Sequence, residues 1–149
     1  MKAKNFQLID FRQKLFDLYA FQKKDFLFLV FFRGLWCNQC KKQLLELNNN
    51  FAKFKKMKIK IVSLSTDSPL NTSILFTYLK SKFPLLSDQG WKIFKMFGFK
   101  KTASKKIKPA VFLINPKKEI VYSYVGQDKD DRPTIKELLK VCKKLTAVV

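Results

Sequence analysis

The chain predicts an α/β domain, with a mixed central sheet flanked by helices on both faces and an N-terminal β-hairpin ahead of it. Three observations carry this reading. Residues 26–32 are apolar at every position, as in a strand covered on both sides. Runs of helical periodicity alternate with strand-like runs through the middle of the chain. Near the end, residues 109–114 and 119–125 are separated only by the turn Asn115-Pro116-Lys117-Lys118, so the sheet finishes on an antiparallel pair. With 149 residues, 47% of them hydrophobic and 16 of them Phe, the chain makes one domain over residues 1–149. A chain of that length buries about two-thirds of its unfolded surface.

Residues 6–10 and 15–19 alternate around the polar Arg12-Gln13-Lys14 and read as the hairpin, with a polar connector over 22–25. Beyond the apolar run, Cys40, Leu44, Leu47, Phe51 and Phe54 recur at helical spacing. They predict a helix over 37–55, loosened at Asn48-Asn49-Asn50. Ile59 and Ile61-Val62-Ser63-Leu64-Ser65 form the next central strand. Asp67-Ser68-Pro69 opens a helix with a capping side chain followed by Pro. Leu70, Ile74, Leu75, Tyr78 and Leu79 are its expected apolar face. Phe83-Pro84-Leu85-Leu86 reads as an edge strand, residues 91–97 as a short helix closed by Gly98, and 100–108 as a basic loop. Thr134 and Glu137 make a capping box for a last helix that turns Ile135, Leu138, Leu139, Cys142 and Leu145 inward.

The chemistry centres on Arg33-Gly34-Leu35-Trp36-Cys37-Asn38-Gln39-Cys40. Strand, then Trp-Cys-x-x-Cys, then helix is the context that makes a Cys-x-x-Cys a redox motif. Residues three apart on a first helical turn share a face, about 5–6 Å apart at Cβ, and a disulfide needs about 3.5–4.5 Å. The pair therefore opens and closes with a small adjustment. Unpaired N–H groups and the positive end of the dipole favour a thiolate there, and cysteines so placed titrate from about 3.5 to 7.5 in place of ~8.5. Lys41 and Lys42 act in the same direction. A zinc site is excluded within one chain, because Cys142 is the one other cysteine and there is no histidine. Cys142 fits a core position, free Cys being among the most buried residue types. The sequence asks for no metal and no cofactor.

Formal charge is +20, from 28 lysines and only three arginines set against 11 acidic residues. Base-edge and bidentate phosphate recognition lean on Arg, so no specific nucleic-acid partner is expected, only weak salt-dependent polyanion binding. Residues 26–32 are too short a run to span a bilayer and too deep in the chain to be a signal peptide, and residues 1–20 carry Asp10 and Asp17. Cytoplasm is the expected location, with no membrane partner.

The chain resembles the thioredoxin-fold superfamily and, within it, the AhpC/TSA family of peroxiredoxin-like proteins. The likeness rests on Phe6-x-Leu8-x-Asp10, on Phe31-Phe32-Arg33-Gly34-x-Trp36-Cys37-x-x-Cys40-x-x-Gln43-Leu44 and on Val62-Ser63-Leu64-Ser65-x-Asp67-Ser68. It continues through Phe83-Pro84-Leu85-Leu86-Ser87-Asp88, Pro109-Ala110-Val111-Phe112-Leu113-Ile114, Tyr124-Val125-Gly126 and Asp131-Arg132-Pro133. A typical peroxiredoxin has Pro, then Thr or Ser, then its peroxidatic Cys at positions that here hold Arg33, Cys37 and Cys40. Its later Arg falls where Pro109 stands. The resemblance thus implies a thioredoxin-like fold and a thiol–disulfide oxidoreductase, with Cys37 the more exposed attacking thiolate and Cys40 resolving. It also implies a cis Lys108–Pro109 bond facing the dithiol. Trp36 and Pro109 would shape a shallow apolar platform for the partner. Arg33 would hold a thiolate or cap the strand end.

The partners so implied are a disulfide-containing protein or a peroxide, together with a thiol electron donor. One alternative is a thiol peroxidase with Cys40 peroxidatic, Cys37 resolving and Arg33 in place of the missing guanidinium. Another, of a different class, is a basic polyanion-binding protein carrying an inactive redox fold.

Overall fold

A computed structural model describes residues 1–101 and 107–147. Most of the basic loop expected over 100–108 lies outside the described residues. The elements run β1 (Gln7–Ile9), β2 (Leu15–Asp17), α1 (Leu18–Gln22), β3 (Phe26–Phe31), α2 (Asn38–Asn49), α3 (Phe51–Lys56) and β4 (Ile59–Ser65). They continue with α4 (Pro69–Leu79), β5 (Leu85–Ser87), α5 (Lys92–Met96), β6 (Ala110–Ile114), β7 (Ile120–Val125) and α6 (Ile135–Thr146).

The five-stranded sheet has the order β5-β4-β3-β6-β7. Strands β3, β4 and β5 run parallel, and β6 and β7 complete it antiparallel. Strand β3 sits at the centre, and its alternation divides the core. Phe26, Phe28, Val30 and Phe32 pack with Leu44, Leu75 and Leu138 from α2, α4 and α6. Leu27, Leu29 and Phe31 pack on the other face with Phe16 of the hairpin and Phe94 of α5. Each such buried side chain contributes on the order of 1.5–3 kcal/mol, which anchors the strand that ends at the dithiol. The expected mixed sheet with helices on both faces and the N-terminal hairpin are both present.

Three local expectations are corrected. The hairpin's second strand stops at Asp17, whose carboxylate caps α1 through the Ala20 N–H at 3.0 Å, so a helix stands where a longer strand was expected. The helix expected over 37–55 is two helices, broken at Asn50 as the asparagine run suggested. Asn48 itself is buried. It donates to the Leu79 carbonyl at 3.0 Å and accepts the Lys82 N–H at 2.8 Å, tying α2 to the end of α4.

On α4 Leu75 and Leu79 face the core as expected, joined by Thr72, while Leu70, Ile74 and Tyr78, also expected inside, are exposed to solvent. That helix is apolar nearly all round, so spacing alone does not choose its inner side. Thr72 is tolerated inside because its hydroxyl donates to the Ser68 carbonyl at 2.8 Å.

Candidate active site

Cys37 is the N-cap of α2. Its backbone is extended (φ −91°, ψ 105°), and its Sγ accepts the Cys40 N–H at 3.3 Å. The sulfur occupies the place that a Ser or Asp oxygen ordinarily fills at a helix start. Cys40 lies one turn on. Its Sγ accepts the Arg33 N–H at 3.3 Å and faces Nη2 of Arg132 at 3.6 Å. The two thiols are therefore close and differently served. The hydrogen bond from the Cys40 thiol pulls Cys37 down to about 6, assisted by the Cys40 N–H and by the charges of Arg132 and Arg33, while burial opposes them. Cys40 moves up, because its proton is the one donated to Cys37 and because it is buried.

Cys37 is the more exposed of the two sulfurs only by 2% against 0%, since capping turns it back over the first turn and into the core cluster with Val30, Phe32 and Leu44. The loop that reaches it is tightly shaped. Gly34 has φ +146°, and a Cβ there would stand 2.6 Å from Trp36 Nε1, so the turn requires glycine. The Cys37 N–H donates to the Gly34 carbonyl at 3.1 Å. Asp67 accepts the Leu35 N–H at 2.9 Å, and its other oxygen takes the Ser68 N–H and the Asn71 amide.

The supporting residues divide. Trp36 is 61% exposed beside the dithiol, and the Arg33 guanidinium lies 4.8 Å from its ring centroid. The Arg33 Nε is buried without a hydrogen-bond partner. Pro109 is buried, so the shallow platform expected from Trp36 and Pro109 together is not formed. Nor is the Lys108–Pro109 bond cis: no described peptide bond is. The trans form is the ordinary preference of an X–Pro bond, and nothing packed here overrides it. Pro109 instead accepts the Gly126 N–H at 2.8 Å. Gly126 approaches so closely that a Cβ there would run into the Asp131 carbonyl.

That close approach delivers a residue the sequence reading left outside the site. Asp131 accepts the Tyr124 hydroxyl at 2.6 Å and the Gln127 N–H at 2.7 Å, which fixes the segment carrying Arg132. Arg132 then donates from Nη1 to Gln43 Oε1 at 2.9 Å and to the Gln39 carbonyl at 3.4 Å, with Nη2 on Cys40 Sγ. The available signal was scarcity: Arg132 is one of three arginines in a chain of 28 lysines. A planar fork that holds these three acceptors in fixed geometry is what Lys does not supply. Asp67, read only as a helix start, also fastens the active-site loop. Cys142 is buried in α6 within the same core face as the dithiol, and burial alone pushes its thiol up to about 12.

The AhpC/TSA family profile matches residues 1–123. Among curated proteins, the thiol-disulfide oxidoreductase ResA of Bacillus thuringiensis subsp. konkukian is 27% identical over 140 residues, covering 93% of this chain and 75% of that one. ResA of Bacillus subtilis is 28% identical over 127 residues, 83% of this chain and 65% of that one. Among solved structures, peroxidoxin BcpB of Mycobacterium tuberculosis superposes with a TM-score of 0.86 at 19% identity, over 100% of this chain and 96% of that one. A protein of Chlorobium tepidum assigned as thiol:disulfide interchange protein DsbE gives 0.77 at 21% identity, over 97% and 94%. The fold is thioredoxin-like, and the relatives' common class is oxidoreductase.

Proposed function

The chain belongs to the AhpC/TSA family, and from that premise we propose that its dithiol reduces disulfides, with Cys37 attacking and Cys40 resolving. The observation that carries this is the cap: Cys37 Sγ lies at the start of α2 and accepts the Cys40 N–H at 3.3 Å, whereas Cys40 Sγ lies one turn on and deeper. In this reading Cys37, drawn down to about 6, supplies the thiolate and Cys40, pushed up, the thiol. In the first step the Cys37 thiolate attacks one sulfur of the substrate disulfide, and the other sulfur leaves as a thiolate that takes up a proton. In the second step Cys40 loses its proton and attacks the Cys37 sulfur of the mixed disulfide, expelling the second substrate thiol. The dithiol is oxidised by two electrons and the substrate disulfide is reduced by two. An external thiol donor restores the dithiol. Because Cys37 is buried, a substrate sulfur reaches it only when the loop over residues 33–37 gives way, a local opening of the kind active-site segments undergo.

The test is capture of the intermediate. Cys40→Ser, incubated with a disulfide substrate, accumulates a mixed disulfide on Cys37, seen by intact mass. Mixed disulfide on Cys40 in Cys37→Ser, with none in Cys40→Ser, would reverse the assignment.

Burial of the reactive sulfur favours one second reading, reduction of a peroxide small enough to enter without that opening. There the Cys37 thiolate would take the distal oxygen as a sulfenic acid, releasing an alcohol or water, and the Cys40 thiol would condense with it to a disulfide and water. The peroxidase alternative with Cys40 as the oxidised residue is disfavoured, since Cys40 holds its proton. Trapping of a sulfenic acid on Cys37 in Cys40→Ser after peroxide treatment would support this second reading.

A further inference from the structure

Beside the dithiol lies a cavity of about 250 Å³ between the first turns of α2 and the start of α6. Gln39 is its link to the chemistry: it lines the cavity, and its Oε1 stands 4.0 Å from Cys37 Sγ. Arg132 forms the wall it shares with Cys40. A second lining residue points to a ligand. Gln43 is 7% exposed, its Oε1 is fixed by Arg132, and the Nε2 so oriented has no hydrogen-bond partner. A buried unpaired amide donor is destabilising until something accepts from it.

The charges around this donor are of both signs. Lys42 and Glu46, one turn apart on α2, and Asp130, ahead of α6, line the cavity, and none of the three is in an ion pair among the described residues. In a chain of +20 a mouth carrying two free carboxylates is not a simple anion site. Ile135 and Leu138 of α6 supply apolar lining.

We infer that this cavity is the substrate subsite for a small zwitterionic disulfide, one that carries an α-ammonium and an α-carboxylate next to its sulfurs, as amino-acid and peptide disulfides do. The inference rests on the disulfide-reducing reading above. The carboxylate accepts a hydrogen bond from Gln43 Nε2 and pairs with the Lys42 charge, and the ammonium is shared by Glu46 and Asp130. The sulfur is thereby held at the Gln39 side of the cavity, where opening of the loop over residues 33–37 presents Cys37 to it. The bond changes are those already given: the Cys37–sulfur bond forms, the ligand's S–S bond breaks, and one amino-acid thiol leaves at each of the two steps.

The reduced protein is mixed in separate runs with cystine and with bis(2-hydroxyethyl) disulfide, and thiol release is followed. Both are uncharged overall, so steering by the chain's net charge cancels. Each rate is divided by that of a free dithiol with the same disulfide, which removes intrinsic reactivity. The expected normalised preference for cystine is about tenfold, the order that screened charge contacts and one amide hydrogen bond supply together. The Lys42→Ala/Glu46→Ala double variant brings that ratio to near one, and Asp130→Asn lowers it if the double variant fails to fold. Equal normalised rates in the unaltered protein would overturn the subsite while leaving disulfide reduction standing. Reduction of neither disulfide would overturn both readings.

Discussion

Cys37 and Cys142 are almost equally buried, at 2% and 1% exposure, and lie on the same face of the sheet, yet they are driven in opposite directions. Burial by itself pushes a thiol up, as at Cys142. At Cys37 the same push is overcome by an N–H and a thiol donated from Cys40 and by two guanidinium groups. Reactivity here is thus a matter of which donors reach a sulfur, and helix position decides that. Cys37 caps a helix start, where N–H groups are free, whereas Cys142 lies in the body of α6, where they are already spent.

The comparison can be broken most severely at the sulfurs. Cys37→Ser is expected to lower disulfide reduction at least ~10³-fold, a serine hydroxyl being unionised at neutral pH, while Cys142→Ser leaves the turnover within about twofold. Loss of activity in the second variant would place Cys142 in the chemistry. Next comes Arg132→Ala, which removes a positive charge from Cys37 and the fork that holds Gln43. The Cys37 titration midpoint should rise and the rate at neutral pH fall about tenfold, with Arg132→Lys recovering the charge but not the fork. An unchanged pH profile would make Arg132 merely structural.

Stability should sharpen the contrast. A thiol whose folded value lies below its unfolded one binds fewer protons than the unfolded chain between the two, so stability rises with pH there. For Cys37 that window runs from about 6 to the usual ~8.5. Cys40 and Cys142, both raised, act the other way, so stability falls as pH climbs above ~8.5. Urea midpoints of the reduced protein should therefore pass through a maximum near pH ~8.5, and the Cys37→Ser variant should lose the rising limb. The smallest effect is Cys142→Ala. It should cost about 1 kcal/mol for a lost buried sulfur and leave the pH profile of disulfide reduction untouched.

The parts legible in the sequence were those whose signal is local. The unbroken apolar run ending at Phe32 marked a central strand because both its faces are covered. Cys-x-x-Cys directly after it marked the helix start, and Thr134 with Glu137 formed the capping box seen at α6. The parts that escaped depend on distance or on a choice between equals. Arg132 lies 92 residues from Cys40 and is carried to it by the closeness of Gly126 to the Asp131 backbone, which no spacing records. The inner face of α4 depends on what it packs against, because both sides of it are apolar. Burial of Cys37 follows from its capping geometry, which the residue type alone does not announce.

The most direct test of this account is the ultraviolet absorbance of thiolate in the reduced protein as a function of pH, compared with Cys37→Ser. It needs no reagent to reach a buried sulfur. One thiolate is expected to appear with a midpoint of about 6 and to be missing from the variant. A first thiolate that appears only near the usual ~8.5, or one that persists in Cys37→Ser, would contradict it.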